Sequence, residues 1–140
     1  MANNSASYRW GRILAFGILS EAATIVLIIV TVTVQATLNP GESEAARQAF
    51  GLRAGSVLGP IAGSLFCLAA AFLATRPLTS AFRIHGLLVA AVAAALTIPG
   101  LLTAPPALRL VYVGAIAFKL LAGFAGGVLS ERRARENDHI

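Results

Sequence analysis

A chain of 140 residues that is 57% hydrophobic and only 12% charged, with a mean hydropathy of +0.78, lies far from soluble domains, in which about a quarter of residues are charged. The formal charge of +5 raises the question of nucleic acid, but ten of the eleven basic residues are arginines set at or beyond the ends of apolar runs. No basic stripe with stacking aromatics accompanies them, which speaks against a nucleic-acid binder and for a single small membrane domain.

Residues 1–12 read as a cytoplasmic N-terminal segment, polar and small from Met1 to Ser7 and expected to be disordered there. The first apolar run, about 13–34, follows Arg9 and Arg12 and ends near a small-residue pattern at Val34, Gln35 and Ala36. It is too long for the 7 to 15 residues typical of a signal-peptide core, so an uncleaved anchor is expected. On this run Gly17, Glu21, Thr24, Ile28, Thr31 and Gln35 follow helical steps of three and four, a mostly polar stripe beginning near mid-membrane.

The link that follows holds Asn39, Pro40, Gly41, Glu42, Ser43 and Glu44. With Asn39 as a cap and Pro40 in the first turn, it predicts a short surface helix within 39–53, an interfacial connector on the outer side. The second run, about 55–75, carries Gly55, Gly59 and Gly63 at intervals of four, and the fourth repeats the device at Gly123 and Gly127. Such small-residue faces let backbones approach where lipid supplies no hydrophobic drive, so all five glycines are expected at helix contacts. The single cysteine, Cys67, has no partner for an internal disulfide and no metal-ligand neighbours in the sequence. Pro60 is expected to bend this second helix.

The third run, about 84–102, is rich in alanine from Ala90 to Ala95, with Pro99 and Gly100 near its end. His85, at its start, is expected at the interface, touching headgroups or water. The fourth run spans about 108–129, and a charged cytoplasmic tail, 131–140, follows. Each run has roughly the 17 to 25 residues that a helix needs to cross a hydrocarbon core. Because every backbone group in lipid must be satisfied within its segment, the fold is expected to be all-α. The short links at 76–80 and 104–106 make consecutive helices antiparallel neighbours, giving an up-down-up-down four-helix bundle in the single transmembrane domain 13–130.

Arginine placement sets the orientation. With both termini cytoplasmic, Arg9, Arg12, Arg76, Arg83, Arg132, Arg133 and Arg135 fall inside and Arg47, Arg53 and Arg109 outside. Tyr8 and Trp10 would then lie at the inner headgroup level and Tyr112 near the outer one.

Two charges lie deep inside the runs. Glu21 is about 12 Å from the inner end of its helix and Lys119 about 15 Å from the same side, at 1.5 Å per residue. Lys119 shares its face with Ala115 and Gly123, the small side that should meet another helix. A charge near the bilayer centre costs on the order of 2.5 to 3.5 kcal/mol, so the pair is the candidate site. It is expected to be a buried ion pair that fixes which helices meet; the alternative is a cation or proton site on Glu21, with Thr24, Thr31 and Gln35 lining a narrow aqueous path.

In size, and in having a glutamate on the first of four helices, the layout is similar to that of the small multidrug-resistance transporters. That family lines its pocket with tryptophan and tyrosine on the middle helices. Both are missing from the second and third runs here, and Lys119 adds a counter-charge. Nothing resembles a zinc motif, a phosphate loop or a catalytic set, so no enzyme, metal or cofactor is expected. The composition, rich in arginine and alanine and poor in lysine, fits a multi-pass protein of a bacterial inner membrane. Its expected role is that of a structural, accessory or assembly subunit whose partners are the lipid bilayer and a second copy or another membrane protein.

Overall fold

The computed structural model describes residues 9–137; Tyr8 and His139, with the rest of residues 1–8 and 138–140, lie outside the described residues. Four helices account for nearly all of them: α1 (Trp10–Leu38), α2 (Glu44–Thr75), α3 (Phe82–Thr103) and α4 (Pro106–Asn137). No strand occurs among the described residues, and all four helices are long and apolar enough to cross a membrane. Large apolar side chains such as Leu19, Ile29, Ile61 and Leu121 are exposed around the outside, as expected where the surroundings are themselves apolar.

The helix ends follow from local chemistry. Asn39 does not start a helix. It ends α1, its backbone N–H donating to Gln35 O and its side-chain amide to the same carbonyl at 3.1 Å. The separate surface helix expected within 39–53 is absent, because Ser43 caps α2 directly, its Oγ accepting from Ala46 N at 3.3 Å. Nothing between Glu44 and Gly59 interrupts the backbone ladder, so the segment is the first part of α2. Ala81, before α3, adopts the left-handed region at φ 56°. The expected charged tail is helical through Asn137.

The helices meet in two unlike halves. In one, the start of α1 lies against the end of α2, where Arg12 donates to Ala74 O at 3.3 Å and Leu73 O at 3.0 Å. A guanidinium on the last carbonyls of a helix satisfies acceptors that have no helical donor and complements the helix dipole. Ile13, Ala70, Ala71, Ala74 and Val89 form the core of this half. Deeper in, Cys67, Ala90 and Ala93 form a second cluster. With so many one-carbon side chains the backbones nearly touch: a Cβ on Gly126 would lie 2.6 Å from Leu68 O, and one on Gly127 2.6 Å from Phe82 O. Thr75 and Ser130 join α2 to α4 with a 2.8 Å hydrogen bond, and Ser130 Oγ donates to Phe72 O at 2.9 Å.

In the other half the contacts thin out. Pro60 and Pro99 lie within α2 and α3 here, and Gly100 makes room for the Tyr112 ring, 2.9 Å from where its Cβ would be. Across the bundle, α4 packs against α2 and α3, and α1 packs against α2 and α3, but α1 and α4 make no close backbone approach among the described residues. These two helices therefore occupy opposite corners. The fourth helix does not close against the first, because the small residues of α2 and α3 fill the space between them.

Candidate functional site

The boundary between the tight and the loose half is where the two deep charges meet. Lys119 Nζ donates to Glu21 Oε2 at 2.5 Å and to Thr97 Oγ1 at 2.7 Å. The Thr97 hydroxyl donates to Ala93 O at 3.0 Å, its own helix's carbonyl, while Glu21 Oε1 stands 3.5 Å away. Three helices thus converge on one cluster, α1 through Glu21, α3 through Thr97 and α4 through Lys119.

Packing explains how Lys119 reaches so far. Its stem runs past Gly63 of α2, whose missing side chain leaves Lys119 Cε 3.0 Å from the position a Cβ would take, with Thr24 Oγ1 at 3.4 Å. A side chain at 63 would crowd the crossing from α4 to α1 and force the Lys119 stem to shift. Cys67 sits one turn further along α2 with its Sγ 3.5 Å from Lys119 O, and Ala115 is buried on the same face of α4. Only 3% of the Lys119 side chain is exposed, against 13% for Glu21. An ammonium so enclosed depends on its carboxylate, because an isolated charge in such surroundings is far more costly than a paired one.

The exposed part of Glu21 faces a cavity of about 280 Å³ in the loose half, lined by all four helices. Glu21, Lys119 and Thr97 form its polar floor, and Ile28, Leu96 and Val111 are among its walls. Ser56 lines it too, and Pro60, which carries no N–H, cannot make the helical bond to the Ser56 carbonyl.

The other residues singled out from the sequence are distributed unevenly about this site. Of the stripe on α1, Thr24 and Ile28 reach the cavity with Glu21. Thr31 instead donates to Leu27 O at 2.8 Å, and the Gln35 amide lies 3.5 Å from Glu42 Oε1, beyond the helix end. A continuous polar path along Thr24, Thr31 and Gln35 is not formed. Threonines on a helix find a ready acceptor in the carbonyl one turn back. Among the five glycines, Gly63, Gly123 and Gly127 are at contacts, but Gly55 and Gly59 are not: nothing lies within 4 Å of a Cβ at either, and both line the cavity. Tyr112 lines the cavity as well, beside Gly100. His85 is buried at 4% exposure, its Nδ1 3.0 Å from Ala81 O, and not at a wet interface.

Thr97 and Gly86 were missed by sequence reasoning. Thr97 sits four residues after Ala93 in an otherwise apolar run, and its signal was a lone hydroxyl near the level of Glu21 and Lys119. Gly86 is where α3 and α4 come closest: a Cβ there would overlap Gly123 O and lie 3.0 Å from Gly127 N. It was hidden because no second glycine stands one turn from it on α3, so it belongs to no repeat.

Among the described residues no group of three or more His, Cys, Asp or Glu side chains is placed to hold a metal ion. No family model matches this chain, and neither a curated protein nor a solved structure is significantly similar to it.

Proposed function

We propose that the chain is a multi-pass protein of a cell membrane, a bacterial inner membrane on its composition, that serves as a structural, accessory or assembly subunit and not as an enzyme. In this reading it is an up-down-up-down bundle with both termini in the cytoplasm, working beside a second copy or another membrane protein. The hydrogen bonds of Arg12 to the end of α2 and the approach of Gly51 to Val32 at the far end of α1, 3.9 Å from where a Cβ would be, support that chain path, and the arginine bias supports the orientation. The observation that carries the role is the 2.5 Å Glu21–Lys119 pair joining two helices that otherwise do not approach each other. An ion pair of that kind specifies which corners of a bundle face each other, a registry role for buried charge.

A second reading rests on Glu21 lining the cavity: a homo-oligomeric cation or proton pathway in which the carboxylate exchanges its partner. One double-mutant cycle separates the two. Breaking the pair by Glu21→Gln or Lys119→Met alone leaves one partner uncompensated and is expected to cost about 3 to 5 kcal/mol. In the accessory reading the combined variant regains yield and melting temperature in detergent and keeps its assembly with partners. In the transport reading it regains stability but loses cation or proton flux in proteoliposomes. Strictly additive losses would show that the two residues are uncoupled and would defeat both readings.

A further inference from the structure

The geometry points to the cavity above the Glu21–Lys119–Thr97 floor as a binding site for a small neutral amphiphile, one apolar chain with a hydroxyl or primary carboxamide head, entering from the lipid between α1 and α2. This goes beyond the accessory role and rests only on the membrane placement proposed above.

The entrance is read from a run of four glycines at steps of four on α2. At Gly63 a Cβ would lie 3.4 Å from Thr24 of α1, in van der Waals contact, and at Gly51 one would lie 3.9 Å from Val32, at the edge of contact. Between these two contacts Gly55 and Gly59 have nothing within 4 Å of a Cβ. Thr24 and Val32 are eight residues apart on α1 and Gly51 and Gly63 twelve apart on α2, so the two approaches bound a gap about 12 Å long on one side and about 18 Å on the other. Ile25 and Leu52, which line the cavity from α1 and α2, are also 51% and 55% exposed on the outside of the bundle. Leu96 of α3 lines the cavity at 47% exposure as well, so it is the free space at Gly55 and Gly59 that puts the opening between α1 and α2, onto the surface that faces acyl chains.

The floor selects the head group. Lys119 spends two of its three N–H donors on Glu21 and Thr97, and the third has no protein acceptor among the described residues. Glu21 Oε1 has only the 3.5 Å approach of Thr97, whose proton is better placed on Ala93 O. One unused donor and one little-used acceptor thus belong to two paired groups that both line the cavity, and the charges that carry them cancel. A carboxamide or hydroxyl satisfies both at once and adds no charge. A carboxylate or an ammonium satisfies only one and brings net charge into apolar walls, which carries a desolvation cost. About 280 Å³ is at the small end of ligand pockets, enough for a short chain and excluding a two-chain lipid.

The test is photolabelling of the full chain in phosphatidylcholine nanodiscs with octanamide carrying a diazirine near the end of its tail, with labelled peptides located by mass spectrometry. Labelling is expected to saturate on the cavity segments of α1, α2 and α4, and unlabelled octanamide should compete about tenfold better than octanoate or octylammonium, the difference expected for a charged head. Gly59→Leu, which fills the cavity from a position with free space, should abolish the saturable labelling without lowering the melting temperature; Gly55→Leu is the replacement if that variant does not fold. The combined Glu21→Gln and Lys119→Met variant should still be labelled but lose the preference among heads. The proposal is overturned by labelling that does not saturate, by labelling spread over exposed side chains and unchanged in Gly59→Leu, or by stronger competition from either charged probe. The pair's structural role would survive any of these results, since Gly59→Leu leaves Glu21 and Lys119 in place.

Discussion

At the scale of residues, several of the few charged side chains are spent on helix ends and on the junctions between helices. Arg12 caps α2 and also lies 5.4 Å from the Phe16 ring centroid, a cation over an aromatic face. Arg109 places its Nε 3.3 Å from Ala104 O. Two residues past the apolar run that ends at Leu129, Glu131 is gripped by Arg83 at 2.7 Å and by Arg135 at 2.6 Å. The hydrogen bond from Arg83, followed by its charge and by Arg135, holds this carboxyl below its ordinary value of 4.5. A carboxylate with a lowered native pKa contributes stability above its unfolded pKa and loses it as pH falls through the native one. The melting temperature in detergent is therefore expected to decline as pH drops below about 4.5, and Glu131→Gln should lower it at neutral pH while removing that part of the decline. A variant whose acid profile parallels the wild type would show that the Arg83–Glu131 bridge between α3 and α4 contributes nothing.

At the scale of helices, glycine does two opposite things, and the repeat alone does not distinguish them. Gly86 and Gly123 face each other so closely that a methyl group on either must push α3 and α4 apart, against backbone that has little room to move. Gly86→Ala is expected to destabilise by about 1 to 3 kcal/mol or more, the usual range for overpacking a tight contact. Gly55→Ala meets nothing and should be neutral or stabilising by up to roughly 1 kcal/mol, since alanine is the better helix former. Thermal melts of the two variants in one detergent check the contrast, and a Gly86→Ala protein as stable as the wild type would mean that α3 and α4 pack less closely than described. The expected steps of four at Gly55, Gly59 and Gly63 identified α2 as a helix with one small face. They did not reveal that this face passes from a contact at Gly63 to open space at Gly59.

At the scale of the whole molecule, the prediction concerns placement in the membrane. With both termini cytoplasmic, a reporter cysteine at Ser43, in the link between α1 and α2, should react with an impermeant thiol reagent in intact spheroplasts, and one at Ser5 only after lysis. Native Cys67 is buried and is replaced by alanine in these variants to keep the readout clean. Reaction at Ser5 from outside would invert the proposed orientation and, with it, the side on which the cavity half lies. The asymmetry between a half closed by alanine and glycine and a half held apart around a cavity would remain, because it is a property of the packing.

What was legible in the sequence was whatever a single helix decides for itself. The apolar lengths gave four helices because a chain in lipid must satisfy its own backbone, and the rise per residue put Glu21 and Lys119 at matching depth before any contact was known. Matching depth did not say which helices stand between them. The diagonal arrangement, the passage of Lys119 over Gly63, the part taken by Thr97 and the gap at Gly55 and Gly59 depend on how four surfaces share one interior. Those were decided only in the tertiary structure, where the side chains of one helix determine how near the others can come.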